Sequence, residues 1–230
     1  MSGSVLVARD LSLGYTGRPV VEGLDLEVGA GEVVVVLGPN GAGKTTTLLG
    51  LAGELEAQAG SVDLLGVPAP RGLHRRARTG VAFVTEERSV FMELTVAENL
   101  RVGRCDPAAV VALFPEVEPL LDRRAGLLSG GEQQMVTLGR ALARSPRLLL
   151  VDELSLGLAP LVVTRLLEAV RKAADDGVAV VLVEQHVDQA MRIADQVLVL
   201  ERGRVVLGGP AAELAGRVKE IEASYLAASS

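Results

Sequence analysis

The stretch VVVVLGPNGAGKTTTLLG, residues 33–50, constrains the fold of this 230-residue chain more than any other. It reads as a short β-branched strand, a glycine-rich turn and the start of a helix, and it fits the pattern G-x-x-x-x-G-K-[ST]. Glycines let the backbone curl so that consecutive N–H groups point into one hollow, and the helix that follows presents its positive end to the same anion. The stretch therefore predicts a phosphate-binding loop.

Nine residues of this loop are predicted to hold the phosphates of a nucleotide. Lys44 supplies a point charge for the β- and γ-phosphates, and the Thr45 hydroxyl is placed to hold Mg²⁺. The alternative is a glycine-rich turn that binds nothing, and it is disfavoured because strand, spacing, Lys-Thr pair and helix all agree. The nine residues are Gly38, Pro39, Asn40, Gly41, Ala42, Gly43, Lys44, Thr45 and Thr46.

Composition narrows the class of protein. The chain is long enough for one α/β domain, with or without an insertion, and no apolar run approaches the ~18 residues of a membrane span. The net charge of −6 and the absence of a long basic stripe argue against nucleic acid as a partner. The single cysteine, Cys105, excludes an intramolecular disulfide and suits a reducing compartment. No signal peptide is indicated at the start, so we expect a soluble protein that can dock on a membrane protein.

The hydropathy pattern predicts an α/β fold with a mostly parallel sheet and an antiparallel β part. Alternating residues at 4–13 and 24–28 indicate antiparallel strands with one wet face, whereas the continuous apolar run 33–37 indicates a strand buried on both faces. Further strands are expected at 61–65, 81–85, 148–151, 178–183, 197–200 and 205–207, with helices from the loop to 50–53, at 160–174, at 186–194 and in the C-terminal tail.

A helical insertion is predicted between these α/β segments. Thr95 and Glu98 form a capping box that opens a helix, and Asp106-Pro107 is an N-cap followed by proline. A third helix is expected from Glu132. We therefore expect one domain over residues 1–230, in which residues 1–86 and 145–230 form the core and residues 87–144 the helical subdomain.

Two short motifs add candidate chemistry. Ser129-Gly130-Gly131 directly precedes a helix, which favours a second anion site, although a plain serine N-cap explains the motif alone equally well. Asp152-Glu153 follows four apolar residues at a strand end. A carboxylate there can ligate Mg²⁺ beside the phosphate loop, and a second one can orient or deprotonate water.

The phosphate loop, LSGGE at 128–132 and LLLVDE at 148–153 together resemble the ATP-binding subunit of ABC transporters over essentially the whole chain. LSGGE is the specific part, because other phosphate-loop ATPases and small kinases lack it. The resemblance implies a RecA-like core that binds ATP with Mg²⁺ and hydrolyses it. It also implies that Asp152 holds Mg²⁺ through water, that Glu153 is the general base, and that Ser129, Gly130 and Gly131 contact the γ-phosphate held by the opposite subunit.

Three further roles follow from the same resemblance. His186 matches the switch histidine that contacts the γ-phosphate, although a histidine at a strand end can be purely structural. Tyr15 lies upstream of the loop, where this family stacks an aromatic ring on adenine, with a half-buried strand tyrosine as the alternative. Glu86 stands where most members have a glutamine that ligates Mg²⁺ and senses the permease, and a carboxylate can also ligate that ion.

Longer segments resemble the branched-chain (hydrophobic) amino-acid uptake subfamily, in the shorter of its two ATPase subunits. They are LSGGEQQM at 128–135, GRAL at 139–142, SLGLAP at 155–160, FVTEERSVF at 83–91 and LTVAEN at 94–99. The resemblance implies a second ABC ATPase subunit (homo- or heterodimeric), integral membrane permease subunits, and indirectly a periplasmic or extracellular solute-binding protein. The chain would then be peripheral, at the cytoplasmic face of the membrane. An ATPase of another transporter (urea, another solute or an exporter) and a soluble ABC-type ATPase without a membrane partner remain alternatives.

The chain departs from the family pattern at four positions. Thr85 and Glu87 replace a proline and a glycine, which is expected to change the flexibility of their loop. Leu154 stands where proline usually fixes the backbone after Glu153, so the aim of that carboxylate is expected to differ. Ala159 replaces the aspartate of most ABC ATPases, although the uptake subfamily shares the alanine.

Overall fold

A computed structural model describes residues 3–218, which form two β-sheets and surrounding helices. The strands are β1 (Ser4–Leu13), β2 (Val21–Gly29), β3 (Val33–Leu37), β4 (Ala57–Leu64), β5 (Val67–Pro68), β6 (Val81–Val84), β7 (Leu148–Asp152), β8 (Ala179–Glu184), β9 (Gln196–Glu201) and β10 (Arg204–Pro210). The helices are α1 (Lys44–Ala52), α2 (Leu73–Arg78), α3 (Val96–Val102), α4 (Pro107–Leu113), α5 (Gly130–Leu142), α6 (Pro160–Asp175), α7 (Val187–Met191) and α8 (Ala211–Leu214), with 3₁₀ turns at Pro115–Leu120, Ala125–Leu127 and Ala215–Arg217.

The larger sheet orders its strands β10-β9-β3-β8-β7-β6 within the described residues. Neighbours are parallel except for the antiparallel pair β9 and β10. Strands β3, β7 and β8 are buried along their whole length, as their apolar sequences predict. Because β8 lies between β3 and β7, the turns that leave the carboxyl ends of these three strands emerge side by side.

Apolar packing on both faces of the larger sheet makes the fold a layered α/β structure. Val33, Val35 and Leu37 belong to the core cluster that α5 and α6 complete. Val34 and Val36 belong to a second cluster with α1 and the antiparallel sheet β2-β1-β4-β5. Alternate residues of β3 thus face different layers, because successive side chains of a strand point to opposite faces. This burial fixes the strand from which the phosphate loop leaves.

Helices and short turns occupy the segment between β6 and β7. Helix α3 begins at a complete capping box formed by Thr95 and Glu98, and Asp106 caps α4. Both caps were predicted from these residues in the sequence. The fully buried Phe114 packs in the main core, and the guanidinium of Arg165 on α6 lies 5.3 Å above its ring. Residues 87–144 as a separate helical subdomain stay a prediction.

Several expected boundaries were wrong. Strand β2 begins at Val21 rather than at residue 24, and β10 continues to Pro210 rather than ending at residue 207. Strand β4 begins at Ala57 rather than at residue 61, because it pairs with β1 over a longer stretch than local alternation shows. Helix α5 begins at Gly130 rather than Glu132, since Ser129 is its N-cap. Helix α7 covers only Val187–Met191 instead of 186–194, with i→i+3 bonds following it. The expected helical tail is α8 and a 3₁₀ turn, and its remainder, residues 219–230, lies outside the described residues.

Candidate functional site

The loop between β3 and α1 forms a cradle that requires glycine. Gly41 and Gly43 adopt φ values of +79° and +103°, in the left-handed region that favours glycine. A Cβ on Gly43 would also lie 2.7 Å from a methyl carbon of Val21. The cradle opens into a cleft of about 430 Å³, which is lined by Val20, Asn40, Gly41, Gly43, Lys44, Thr45, Thr46, Glu86, Glu153, Leu156 and Gln185.

Lys44 is almost fully buried at the first position of α1, with 4% of its side chain exposed. Its ammonium group donates to the carbonyl oxygens of Gly38 at 2.9 Å and Pro39 at 3.2 Å. The same nitrogen lies 3.6 Å from Oε1 of Glu153. These contacts hold a positive charge beside the loop amides, where it can interact with a phosphate.

Asp152 ends β7 with only 2% of its surface exposed. Its pKa is raised to about 6, chiefly by burial and also by the charges of Glu153 and Glu86, while the neighbouring Thr45 hydroxyl and Lys44 ammonium oppose the rise. Its Oδ1 has no hydrogen-bond partner among the described residues. A buried carboxylate with an unsatisfied oxygen, near a hydroxyl and a second carboxylate, offers the oxygen donors that Mg²⁺ takes. The residues present therefore fit this ion.

Glu153 follows β7 in a left-handed conformation, with φ +45°. Its backbone N–H donates to the carbonyl of Val183 at 3.0 Å, and its Oε2 accepts a hydrogen bond from Nε2 of Gln185 at 2.7 Å. Leu154 is 1% exposed and belongs to the main core cluster. Burial of Leu154 thus anchors the turn at the position where proline is usual.

A buried carboxylate lies behind this turn. Glu184, the last residue of β8, is 1% exposed and accepts hydrogen bonds from the Ser155 amide at 3.1 Å and the Ser155 hydroxyl at 2.7 Å. The pKa of Glu184 is raised by burial, and these hydrogen bonds oppose the rise without cancelling it. The sequence reasoning missed Glu184, Ser155 and Gln185. The signal was present, because VVLVEQ ends a buried run on a carboxylate just as LLLVDE does.

The other predicted residues do not line the cleft. His186 is exposed at the N-cap of α7. Tyr15 is 63% exposed in the bend beyond the end of β1, so the half-buried strand tyrosine is excluded. Ala159 is the N-cap of α6 and provides no side-chain cap. Near Glu86, the Thr85 hydroxyl donates to the Glu87 carbonyl at 2.9 Å, which closes the loop locally.

Ser129 begins α5 in a complete capping box. Its hydroxyl oxygen accepts from the Glu132 amide at 3.3 Å, and the Glu132 carboxylate accepts from the Ser129 amide at 2.6 Å. Ser129 itself is exposed. The Arg88 guanidinium packs against Gly130, where an added Cβ would lie 2.8 Å from it. Ser129, Gly130 and Gly131 are thus separate from the cleft that gathers the phosphate loop, Glu86 and Glu153.

Comparison with known proteins identifies the family. A protein-family model described as ABC transporter matches residues 21–155, from β2 through the phosphate loop to the turn after Glu153. This span is more than half of the chain. The chain belongs to the ABC transporter family of ATP-binding proteins. Members bind ATP and hydrolyse it to power transport, and they dimerise and work with membrane permease components.

Several relatives resemble the chain over nearly its whole length. It is 41% identical over 215 residues to the high-affinity branched-chain amino acid transport ATP-binding protein BraG of Pseudomonas aeruginosa, covering 87% of this chain and 91% of that protein. It is 34% identical over 219 residues to the probable branched-chain amino acid transport ATP-binding protein LivF of Archaeoglobus fulgidus, with 89% and 91% covered. It is 32% identical over 227 residues to the lipopolysaccharide export system ATP-binding protein LptB of Escherichia coli K12, with 92% of each covered.

The fold comparison agrees with the sequence comparison. A solved structure of an ATP-binding subunit of an ABC transporter superposes with a TM-score of 0.84 at 28% identity, covering 96% of this chain and 99% of that one. The predicted phosphate-loop α/β fold and the predicted ABC family are therefore confirmed. Within residues 3–218, no helix of this ABC protein has both the length and the apolar character that crossing a membrane requires.

Proposed function

We propose that this chain is the ATPase subunit of an ABC importer for branched-chain or other hydrophobic amino acids. The observation that carries the proposal is the 41% identity to BraG over nearly the whole of both chains. The similarity to LivF, at 34%, points to the same class of solute. The similarity to LptB, at 32%, keeps an export system as the second candidate.

The cleft supplies the residues for binding and hydrolysing ATP. The loop of residues 38–46 cradles the phosphates through its amides and Lys44. Thr45, Asp152 and Glu86 would hold Mg²⁺, which supplies positive charge to the β- and γ-phosphate oxygens when bound. Glu153 accepts the proton of the attacking water as the general base.

Two exposed residues outside the cleft lining also belong to the proposed set. His186, which starts α7 just beyond β8, contacts the γ-phosphate once the site closes. Tyr15 stacks on adenine from the exposed bend after β1. Both side chains are exposed, so a bound nucleotide can reach them without unfolding any element.

The separation of Ser129–Gly131 from the cleft supports a dimer that sandwiches ATP. One nucleotide in the cleft leaves the start of α5 on the same chain without a phosphate. In the proposed dimer, the Ser129 hydroxyl and the α5 amides of one subunit contact the γ-phosphate held by the other. The pair is a homodimer or a heterodimer with a second ABC ATPase, and hydrolysis loosens it.

A groove of about 410 Å³ lies beside β6 and α5, lined by Arg78, Phe83, Ser89, Thr137, Arg140 and Arg144 among others. The loop that leads from Glu86 to Phe91 borders it. We place the contact with the integral membrane permease here, which would hold the chain at the cytoplasmic face of the membrane. A solute-binding protein outside the membrane would then act only through the permease.

The test is purification of the intact complex from membranes through this chain, with identification of the bound subunits by mass spectrometry and reconstitution into vesicles. We expect permease subunits, and ATP hydrolysis stimulated by leucine, isoleucine or valine with the cognate solute-binding protein. Stimulation by urea or by a lipid instead would overturn the amino-acid assignment. Recovery of the chain without any membrane protein would contradict the transport role and favour a soluble ATPase.

A further inference from the structure

Four hydrogen bonds join the turn after β7 to the end of β8 and the residue that follows it. The Glu153 amide donates to the Val183 carbonyl at 3.0 Å. The amide and hydroxyl of Ser155 donate to the Glu184 carboxylate at 3.1 and 2.7 Å, and the Gln185 side-chain amide donates to Glu153 at 2.7 Å. Two segments about 30 residues apart in sequence are therefore bonded into one unit, which forms part of the wall of the cleft.

The Glu184–Ser155 contact fixes the base of this unit. A buried carboxylate is costly unless its oxygens are satisfied. Glu184 meets that requirement with both Ser155 donors and, at 3.3 Å, with the backbone amide of Gln185. The backbone that carries Gln185 is thereby held relative to the turn that carries Glu153.

An ion pair and a hydrogen bond hold the Glu153 carboxylate. Its Oε1 lies 3.6 Å from the Lys44 ammonium, and its Oε2 accepts the short bond from Gln185. Lys44 also belongs to the phosphate cradle, so a bound triphosphate competes with Glu153 for that charge. The Gln185 amide carries no charge and points at the carboxylate rather than at the cradle. It can keep its bond while Lys44 changes partner.

We propose that Gln185 is a positioning residue for ATP hydrolysis, which orients the Glu153 carboxylate toward the attacking water. Glu184 and Ser155 hold the turn from which Gln185 acts. The proposal rests on the proposed role of Glu153 as general base. A general base must lie within hydrogen-bond reach of the proton that it removes, and small misplacements of reacting groups are costly in rate.

The decisive variant is Gln185→Met, which keeps the side-chain length and removes the N–H donor. The matched control is Gln196→Met, the same change at the start of β9, outside the ATP cleft. Turnover and KM for ATP are measured on the assembled transporter at saturating Mg²⁺. Because the lost bond is to a charged acceptor, we expect Gln185→Met to lower kcat about 10-fold with KM for ATP within about twofold. Gln196→Met should match the wild type.

A double-mutant cycle with Glu153→Gln separates positioning from a general structural effect. Single-turnover hydrolysis of radiolabelled ATP gives the residual rate of Glu153→Gln with and without Gln185→Met. If Gln185 acts through Glu153, the second substitution has no further effect in this background. If the full 10-fold loss persists there, Gln185 does not act through Glu153, and the proposal is wrong.

The remaining outcomes show whether the positioning role of Gln185 or the general-base role of Glu153 has failed. Wild-type kcat in Gln185→Met, with Glu153→Gln inactive, would overturn the positioning role and leave the general base in place. Unchanged turnover in Glu153→Gln would remove the proposed base itself. If Gln185→Met lowers the melting temperature by more than a few degrees, Gln185→Leu replaces it, since that variant also lacks the donor and adds no charge beside Glu153. Wild-type turnover in Gln185→Leu would likewise overturn the proposal.

Discussion

The two regions that we propose to bind phosphate both lie at the start of a helix, but they are prepared differently. At the start of α1, Lys44 is buried and bonded to the loop, and the neighbouring Asp152 keeps an unsatisfied oxygen. At the start of α5, Ser129 is exposed and satisfied in a capping box with Glu132. The first region holds groups that are costly without a ligand, and the second would be stable with no ligand at all.

Because of this difference, stability and activity are opposed in the first region and coupled in the second. A raised pKa means that folding disfavours the charged form of Asp152, so the residue that ligates the metal in our proposal opposes folding at neutral pH. Ser129 caps α5, and in our proposal its hydroxyl proton is donated to a phosphate of the opposite subunit. Substitutions in the first region should therefore trade activity against stability, whereas in the second both should fall together.

The largest effect is expected at Lys44. Lys44→Ala removes the buried charge of the cradle and should lower kcat/KM for ATP by about 100- to 1,000-fold, comparable to the loss of a preorganised donor at a developing charge. Steady-state hydrolysis measures this loss, and equilibrium binding of a fluorescent ATP analogue shows how much of it is lost affinity. Binding and turnover that both stay within twofold of the wild type would contradict the assignment of this region as the primary nucleotide site.

Asp152→Asn should abolish turnover and stabilise the free protein. The rise of the Asp152 pKa from 3.8 to about 6 corresponds to about 3 kcal/mol at pH 7.5. Because the folded pKa is the higher one, wild-type stability falls as pH rises from about 4 to about 6, and the variant lacks that fall. Urea unfolding without Mg²⁺ or nucleotide should show the gain at pH 7.5 and its disappearance near pH 4. If the variant were less stable than the wild type at pH 7.5, the proposed cost of burying the charged Asp152 carboxylate would be contradicted.

The smallest effect compares two capping boxes. Ser129→Ala and Thr95→Ala each remove an N-cap hydroxyl and should each cost about 1 kcal/mol of stability. Only Ser129→Ala should also reduce ATP turnover, by about 10-fold, because of the two hydroxyls only that of Ser129 would contact a phosphate. Thermal unfolding and steady-state hydrolysis test the pair. Equal turnover in the two variants would mean that Ser129 is only a cap.

Local patterns predicted most of the fold and most of the cleft. The β3 run, the glycine loop, the capping box at Thr95 and the Asp152-Glu153 strand end are encoded within a few residues each. What the sequence did not predict depends on contacts between distant segments. The Gln185–Glu153 bond joins residues 32 apart, and the early start of β4 depends on pairing with β1. Periodicity in one segment carries no information about such partners.

The claim on which the rest depends is that one chain carries two half-sites and that a second ATPase subunit must complete each. The most direct measurement is the mass in solution of Glu153→Gln with Mg²⁺ and ATP, by analytical ultracentrifugation, for the chain alone and with any second ATPase recovered in its complex. We expect ATP to double the mass by pairing subunits, and Ser129→Asp in the same chain to prevent it, because an added carboxylate repels the γ-phosphate. ATP bound at one per chain, with the mass of a single subunit in both samples, would contradict the claim.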